Sequence, residues 1–228
     1  MAVAHKKYLD RHDAGRQLVP LLRRWKGSDA VVFALPRGGI PVAIEIAVAL
    51  GLPLDLLYVR KIATPLEPEL ALGAIVDGAD PDVVYNEPLV RRTGISRSVL
   101  DELVAQELAE IERRRLHYGT RLTPLMPTGR PAIVVDDGLA TGATVRAAVQ
   151  ALRRRGATRV VVAVPVAPPD VIAALESDGA EIACPLVVER FYGVGDFYRD
   201  FRQLGDDEVV RLLSEVRDRA GVEGVERT

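Results

Sequence analysis

Five short runs rich in β-branched residues recur along this chain with helical patterns between most of them: "DAVVFAL" (29–35), "LDLLYVR" (54–60), "PAIVVDD" (131–137), "RVVVAVPV" (159–166) and "IACPLVVE" (182–189). They are apolar at successive positions, as strands buried on both faces are, which predicts parallel pairing. "IPVAIEIAVALG" (40–51), "TVRAAVQALRRRG" (144–156) and "PDVIAALESDG" (169–179) place apolar residues three and four apart and end on glycine. That is the pattern of helices stopped by a C-terminal glycine. The alternation specifies an α/β fold around a parallel sheet. Such sheets bind ligands beyond the carboxyl ends of their strands. A site is therefore expected at the turns after residues 35, 60 and 137.

Composition narrows the classes of function. With 228 residues, 48% of them hydrophobic, the chain has material for one substantial core, and a single domain over 1–228 is expected. A formal charge of -2 and a pI near 6.0 leave no overall basic field, so neither nucleic acid nor a membrane surface is expected as a partner. Cys184 is the sole cysteine, which excludes an internal disulfide, and His5, His12 and His117 do not cluster with it at zinc-ligand spacing. The start, "MAVAHKKYLDRHD", is polar, and no apolar stretch approaches ~18 residues. Neither a signal peptide nor a membrane span is expected, and the location is read as cytoplasmic.

Three segments stand outside the alternation. "DAGRQLVPLLRRW" (13–25) puts Leu18, Leu21, Leu22 and Trp25 on one helical face, with Pro20 kinking the helix or marking its first turn. "ALGAIVDGADPDVVYNE" (71–87) has two short apolar runs around Asp, Gly and Pro, which predicts a projecting hairpin. "SVLDELVAQELAEIERRRLHYG" (98–119) opens on a Ser98 and Asp101 capping pattern, carries Leu100, Val104, Leu108 and Ile111 on one stripe, and stops at Gly119. The last residues, "GVEGVERT", are expected to fray.

"VVDDGLATGAT" (134–144) carries the chemistry. Asp136 and Asp137 stand where a buried strand emerges, so both carboxylates are expected to face the crevice above the sheet. There they suit vicinal hydroxyls or the waters of a bound Mg²⁺. Beyond them Ala140, Thr141, Gly142, Ala143 and Thr144 lack bulk, and several backbone N–H groups can converge on an anion at the start of the following helix. The two halves fit a ribose 5-phosphate. Alone, Asp-Asp-Gly is an ordinary turn and Ala-Thr-Gly-Ala-Thr an ordinary helix cap; the order strand, acidic pair, small loop, helix is much rarer. No G-x-x-x-x-G-K-[ST] occurs, and "LPRGGIP" lacks the G-x-G-x-x-G spacing.

At these residues the sequence resembles the type I phosphoribosyltransferases, whose signature is an apolar strand, two acidic residues and a Thr/Gly loop binding 5-phosphoribosyl 1-diphosphate (PRPP). "VVDDGLATGATVRAA" is most similar to the adenine phosphoribosyltransferase version, with Gly138 where an aliphatic residue is usual and Ala143 where a second glycine is usual. The resemblance implies that Asp136 and Asp137 engage the ribose hydroxyls, with Mg²⁺ held nearby through water. Residues from Gly138 and Leu139 through Thr144 would bind the ribose 5-phosphate. "ALPRGGIPVA" is similar to the family's diphosphate loop, giving Pro36, Arg37, Gly38 and Gly39 that role, and "VRKIATP" adds Arg60 and Lys61. The implied architecture is a Rossmann-like core over about 29–166, with a helical insert over 96–119 and a hood and C-terminal helix over 181–219. A flexible hairpin over 63–87, carrying Glu67 and Glu69, would close over the reactants.

The hood candidate is "VERFYGVGDFYRDF" (188–201), which holds five of the ten Phe and Tyr residues. Phe191 and Tyr192 are the candidates for stacking on an acceptor base, while Phe197, Tyr198 and Phe201 serve equally well as anchors for the C-terminal helix expected at 206–219. The implied reaction is phosphoribosyl transfer from PRPP to a small nitrogen acceptor with release of diphosphate. Asp136, Asp137 and Lys61 would be the catalytic residues, in a homodimer whose contact face could be the long helix. Two alternatives stay open on the same site: a PRPP or nucleotide sensor without catalysis, and a phosphorylase or hydrolase of phosphorylated nucleosides.

Overall fold

The computed structural model describes residues 8–64, 67, 70–78, 81–119 and 125–219. In chain order it runs α1 (Arg11–Leu18), a 3₁₀ helix (Val19–Trp25), β1 (Val31–Ala34), α2 (Gly39–Leu50), β2 (Leu54–Leu56), β3 (Val59–Ala63), β4 (Ala71–Val76) and β5 (Asp82–Tyr85). There follow α3 (Glu87–Thr93), α4 (Arg97–His117), β6 (Pro131–Val135), α5 (Ala143–Arg154), β7 (Arg159–Ala163), β8 (Val166–Ala167) and α6 (Pro169–Ser177). β9 (Glu181–Ala183), β10 (Leu186–Val187), a second 3₁₀ turn (Val194–Phe197) and α7 (Asp206–Arg219) complete it.

The central sheet has the order β2-β1-β6-β7-β9 and every pair in it is parallel. Side chains alternate across a strand, so its buried runs feed two cores. Val32, Ala34, Ile133, Val135 and Val161 join α2 and the buried face of α7 in one cluster. Val31, Phe33, Ala132, Val134, Val160 and Val162 join α5 and α6 in the other. Ala34 pairs with Val135, so β1 and β6 end at one edge and their loops leave the sheet side by side.

Three of the predicted strands are each interrupted. "LDLLYVR" gives β2 in the parallel sheet and then β3 in a separate antiparallel sheet of order β3-β4-β5. The switch is made at Leu57, whose amide bonds the Ala34 carbonyl, and Tyr58, whose amide bonds the Asp77 carboxylate. The runs at 159–166 and 182–189 break near Pro165 and Pro185, which have no N–H for a ladder, and the residues beyond form the parallel pair β8–β10. In the same way Pro20 ends α1, and the chain continues to Trp25 as the 3₁₀ helix.

The predicted hairpin is present as β4–β5, with Ala74 opposite Val84; Glu67 is exposed and Glu69 lies outside the described residues, as does the C-terminal "GVEGVERT". The long helix forms as expected, but its N-cap is Ser96. Ser96 has the extended backbone an N-cap requires and Ser98 already lies inside the first turn. The expectation had no helix at α3, although Asn86 caps it and Pro88 sits in its first turn. Among the described residues no helix is long and apolar enough to cross a membrane.

Candidate functional site

The loops after β1 and β6 touch at the sheet edge. A Cβ on Gly38 would overlap the Asp137 carboxylate, and one on Gly39 would overlap the Val135 carbonyl. Only glycine permits this approach, which makes residues 36–39 and 136–144 one surface. The Gly39 amide bonds the Leu35 carbonyl at 3.0 Å as α2 begins, and the Pro36–Arg37 peptide is cis. Arg37 is half-buried; its Nη1 lies 3.3 Å from Oδ1 of Asp206, the first residue of α7. The Tyr118 hydroxyl donates to the same oxygen at 2.6 Å. That bond, followed by the nearby Arg37, holds the Asp206 carboxyl below its ordinary range, while burial and the same bond push Tyr118 up to about 12.

The two acidic neighbours have different surroundings. Asp136 is half-buried and its Oδ1 accepts from the Asp137 amide at 2.8 Å. Burial, and then the charge of Asp137, raise its carboxyl well above the usual range. Asp137 is buried and ion-paired rather than open to the crevice: Nε of Arg11 donates to its Oδ2 at 2.7 Å. Burial raises its carboxyl as well, and Arg11 opposes the shift. The Asp137 carbonyl accepts from the buried Tyr198 hydroxyl at 2.6 Å.

Gly138 has φ +155°, and a Cβ there would lie 2.6 Å from Val194 Cγ1. The hood residue Val194 thus occupies space that an aliphatic side chain at 138 would need. Leu139 is buried, with its amide on the Val166 carbonyl at 2.9 Å. Ala140, Thr141, Ala143 and Thr144 are exposed, and Gly142, at φ +68°, caps α5. First-turn amides of a helix have no intrahelical acceptor, so the exposed start of α5 presents directed donors of the kind that bind phosphate. Ala143 is already helical, which removes any conformational need for glycine there.

Arg60 and Lys61 diverge. Arg60 pairs with Ile75, which belongs to the cluster on the α4 side, and its Nε donates to Glu107 of α4 at 2.6 Å. Lys61 pairs with Ala74, which packs in the cluster on the α5 side, and is exposed. Adjacent residues of a strand point to opposite faces, so one of the two faces α5 and the other is held by α4.

In the hood, Phe191 is half-buried and stacks on Phe197 with centroids 5.4 Å apart, while Tyr192 is 89% exposed. Phe197 and Tyr198 are buried, but against Tyr8 and Val166 more than against α7. The backbone of Tyr8 and Leu9 runs beside residues 197–200, joined by bonds from the Tyr8 amide to the Phe197 carbonyl and from the Arg199 and Asp200 amides to the Tyr8 and Leu9 carbonyls. Sequence reasoning missed four residues of the site: Arg11 and Tyr198, which touch the acidic pair, and Asp206 and Tyr118, which hold Arg37 and each other. Each is an ordinary residue in its own segment and meets its partner from 61 or more positions away.

Comparison with known proteins agrees with this layout. The family model described as "Phosphoribosyl transferase domain" matches residues 12–200. Two Mycobacterium tuberculosis proteins, from strains H37Rv and CDC 1551, each carry the name "Putative phosphoribosyl transferase" and are 46% identical over 210 residues, 91% of this chain. The chain spans only 46% of their length. The crystal structure of TT1426 from Thermus thermophilus superposes with a TM-score of 0.78 at 36% identity, covering 92% of this chain and 98% of that one. With its parallel sheet, its acidic pair and the exposed start of α5, the chain belongs to the phosphoribosyl transferase domain family and has the type I fold.

Proposed function

We propose that this chain transfers the 5-phosphoribosyl group of PRPP to a small nitrogen acceptor, a nucleobase or a near relative, and releases diphosphate. The observation that carries the reading is the contact of Gly38 with Asp137, which joins a glycine loop to an acidic pair and a helix start on adjacent strands. In this reading the free amides and hydroxyls of residues 140–144 hold the 5-phosphate, with Leu139 anchoring the loop through its amide on the Val166 carbonyl; Asp136 accepts from the ribose hydroxyls, and Asp137 contributes only the oxygen that Arg11 leaves free. Residues 36–39, with Arg37 and Lys61, hold the diphosphate. Arg60, bound to Glu107, orients β3 against α4 and contributes charge at longer range.

The donor set fits a hard divalent cation, since Asp136 offers a half-buried carboxylate whose one hydrogen bond comes from a backbone amide. Bound through water beside Asp136 and Asp137, Mg²⁺ would neutralise charge on the departing diphosphate. The protein's own part is positional. No side chain need act as a nucleophile, and fixed donors aimed at developing charge contribute about 3 kcal/mol each, by analogy with one oxyanion-hole donor. Tyr192 is the exposed ring for the acceptor to stack on, with Phe191 setting the hood backbone beneath it.

Calorimetry with PRPP, with and without Mg²⁺, on the wild type and Asp136→Asn tests this reading. Magnesium-dependent binding that the substitution weakens by about tenfold or more supports it. A wild type that fails to bind PRPP removes it. Diphosphate release on adding bases then separates transfer from binding alone.

A further inference from the structure

The Asp137 carboxylate and carbonyl are held by two different side chains that are themselves held together. Arg11, 11% exposed, donates from Nε to Asp137 Oδ2 at 2.7 Å and from Nη1 to the Arg202 carbonyl at 2.9 Å. Its guanidinium lies 4.0 Å from the centroid of the Phe201 ring, an arrangement in which the cation is attracted to the ring face. Phe201 packs on Tyr198 with centroids 5.0 Å apart, and the Tyr198 hydroxyl returns to the Asp137 carbonyl at 2.6 Å. The contacts close a ring: Asp137 side chain, Arg11, Phe201, Tyr198, Asp137 backbone. The segment preceding Arg11 is tied into the same ring by its backbone bonds to residues 197–200, and Val194 lies over Gly138.

We propose that Arg11 is a positioning residue for the acidic pair, and that through it the aromatic segment 197–202 and the ribose side of the site form one mechanical unit. The inference rests on the proposed function and adds to it a residue and a coupling. Geometry supplies the reason. A carboxylate free to rotate at a sheet edge would sample several orientations, whereas Asp137 has one oxygen committed to Arg11, which leaves Oδ1 aimed at a single place. Because Arg11 takes its own position from Phe201 and the Arg202 carbonyl, a displacement of the aromatic segment moves Asp137, and by linkage a ligand that orders one side favours the other.

The test compares PRPP in the presence of Mg²⁺ with inorganic diphosphate in its absence, as calorimetric probes, on the wild type, Arg11→Met, Tyr198→Phe and the double variant, each checked by thermal melting. Inorganic diphosphate has no ribose, so it reports the loop at 36–39 without the acidic pair's hold on the sugar. Arg11→Met is expected to weaken PRPP by about tenfold or more, as loss of a hydrogen bond to a charged group does. Diphosphate affinity should stay within about twofold, the range in which independent sites behave additively. In the Arg11→Met background, Tyr198→Phe should cost PRPP less than about twofold further, although alone it costs several-fold, because the ring of contacts is already open. Equal losses for both probes would mean a merely structural role and would overturn the proposal, as would no loss for either or strictly multiplicative effects of the two substitutions. If Arg11→Met does not fold, Arg11→Lys takes its place under the same outcomes, since lysine keeps the charge but cannot make the Nε and Nη1 bonds together. A wild type that binds diphosphate but not PRPP overturns the proposed function, an outcome distinct from any of these.

Discussion

Asp136→Asn and Asp137→Ala are expected to move stability in opposite directions. The Asp136 carboxyl is raised by burial and by its neighbour's charge, so the fold disfavours its ionised form. An acid whose folded value is raised holds its proton more tightly in the native state, and stability from it declines as pH rises above its ordinary value of 3.8. Asparagine removes that decline, and Asp136→Asn should melt at or above the wild-type temperature at neutral pH. Asp137→Ala removes the acceptor of Arg11 Nε and leaves that buried guanidinium without its ion-pair partner, which should cost on the order of 3 kcal/mol in denaturant unfolding, the usual result of breaking one side of a buried pair. Equal effects of the two would contradict the asymmetry. The acidic pair and its small loop were legible in the sequence because they are contiguous. Arg11 was not, being 126 positions from Asp137 and carrying no local mark.

Among the elements, α4 is the least expected part of the fold to bear on the site, and its contacts say what it does. Arg115 donates from Nε to Asp77 Oδ2 at 2.6 Å at the base of the hairpin, Glu107 holds Arg60 on β3, and the adjoining Tyr118 holds Asp206. The helix therefore braces β3 and β4 from one side while α5 does so from the other, where Arg155 caps the Val76 and Asp77 carbonyls. These contacts make α4 a support for β3 and the hairpin. Burial, partly offset by Arg115, pushes the Asp77 carboxyl up to about 6 from its ordinary 3.8. The native state therefore binds the proton more tightly. The stabilisation is complete below about 4 and is lost as pH rises through about 6, a fall on the order of 3 kcal/mol at about 1.4 kcal/mol per unit. Denaturant midpoints measured from pH 4 to 7 should carry this slope, and Asp77→Asn should lack it; an unchanged slope in the variant would assign it to another group. β2 and β3 were legible as one apolar run, but their division between two sheets was not, because a run of β-branched residues records burial and not which partner strand is paired.

For the whole molecule, the site lies where two cores, a hairpin and the hood converge on one sheet edge, so ligand binding should tighten more than the loops it touches. Saturating PRPP with Mg²⁺ at about one hundred times its dissociation constant should add roughly 2.7 kcal/mol to the unfolding free energy, by mass action alone. Thermal melting checks this, and a melting temperature indifferent to PRPP would count against the site. By itself the sequence determined the class of fold, the parallel sheet, the two loops that meet at its edge and the family they resemble. Those follow from periodicity and from short contiguous motifs, which a linear chain carries intact. Only the tertiary structure decided that Asp137 belongs to Arg11, that Arg37 meets Asp206, that Arg60 and Lys61 face apart, and that Val194 occupies the space above Gly138. Each is a contact between distant segments, set by how helices and hood pack once the sheet is formed, and no local pattern encodes it.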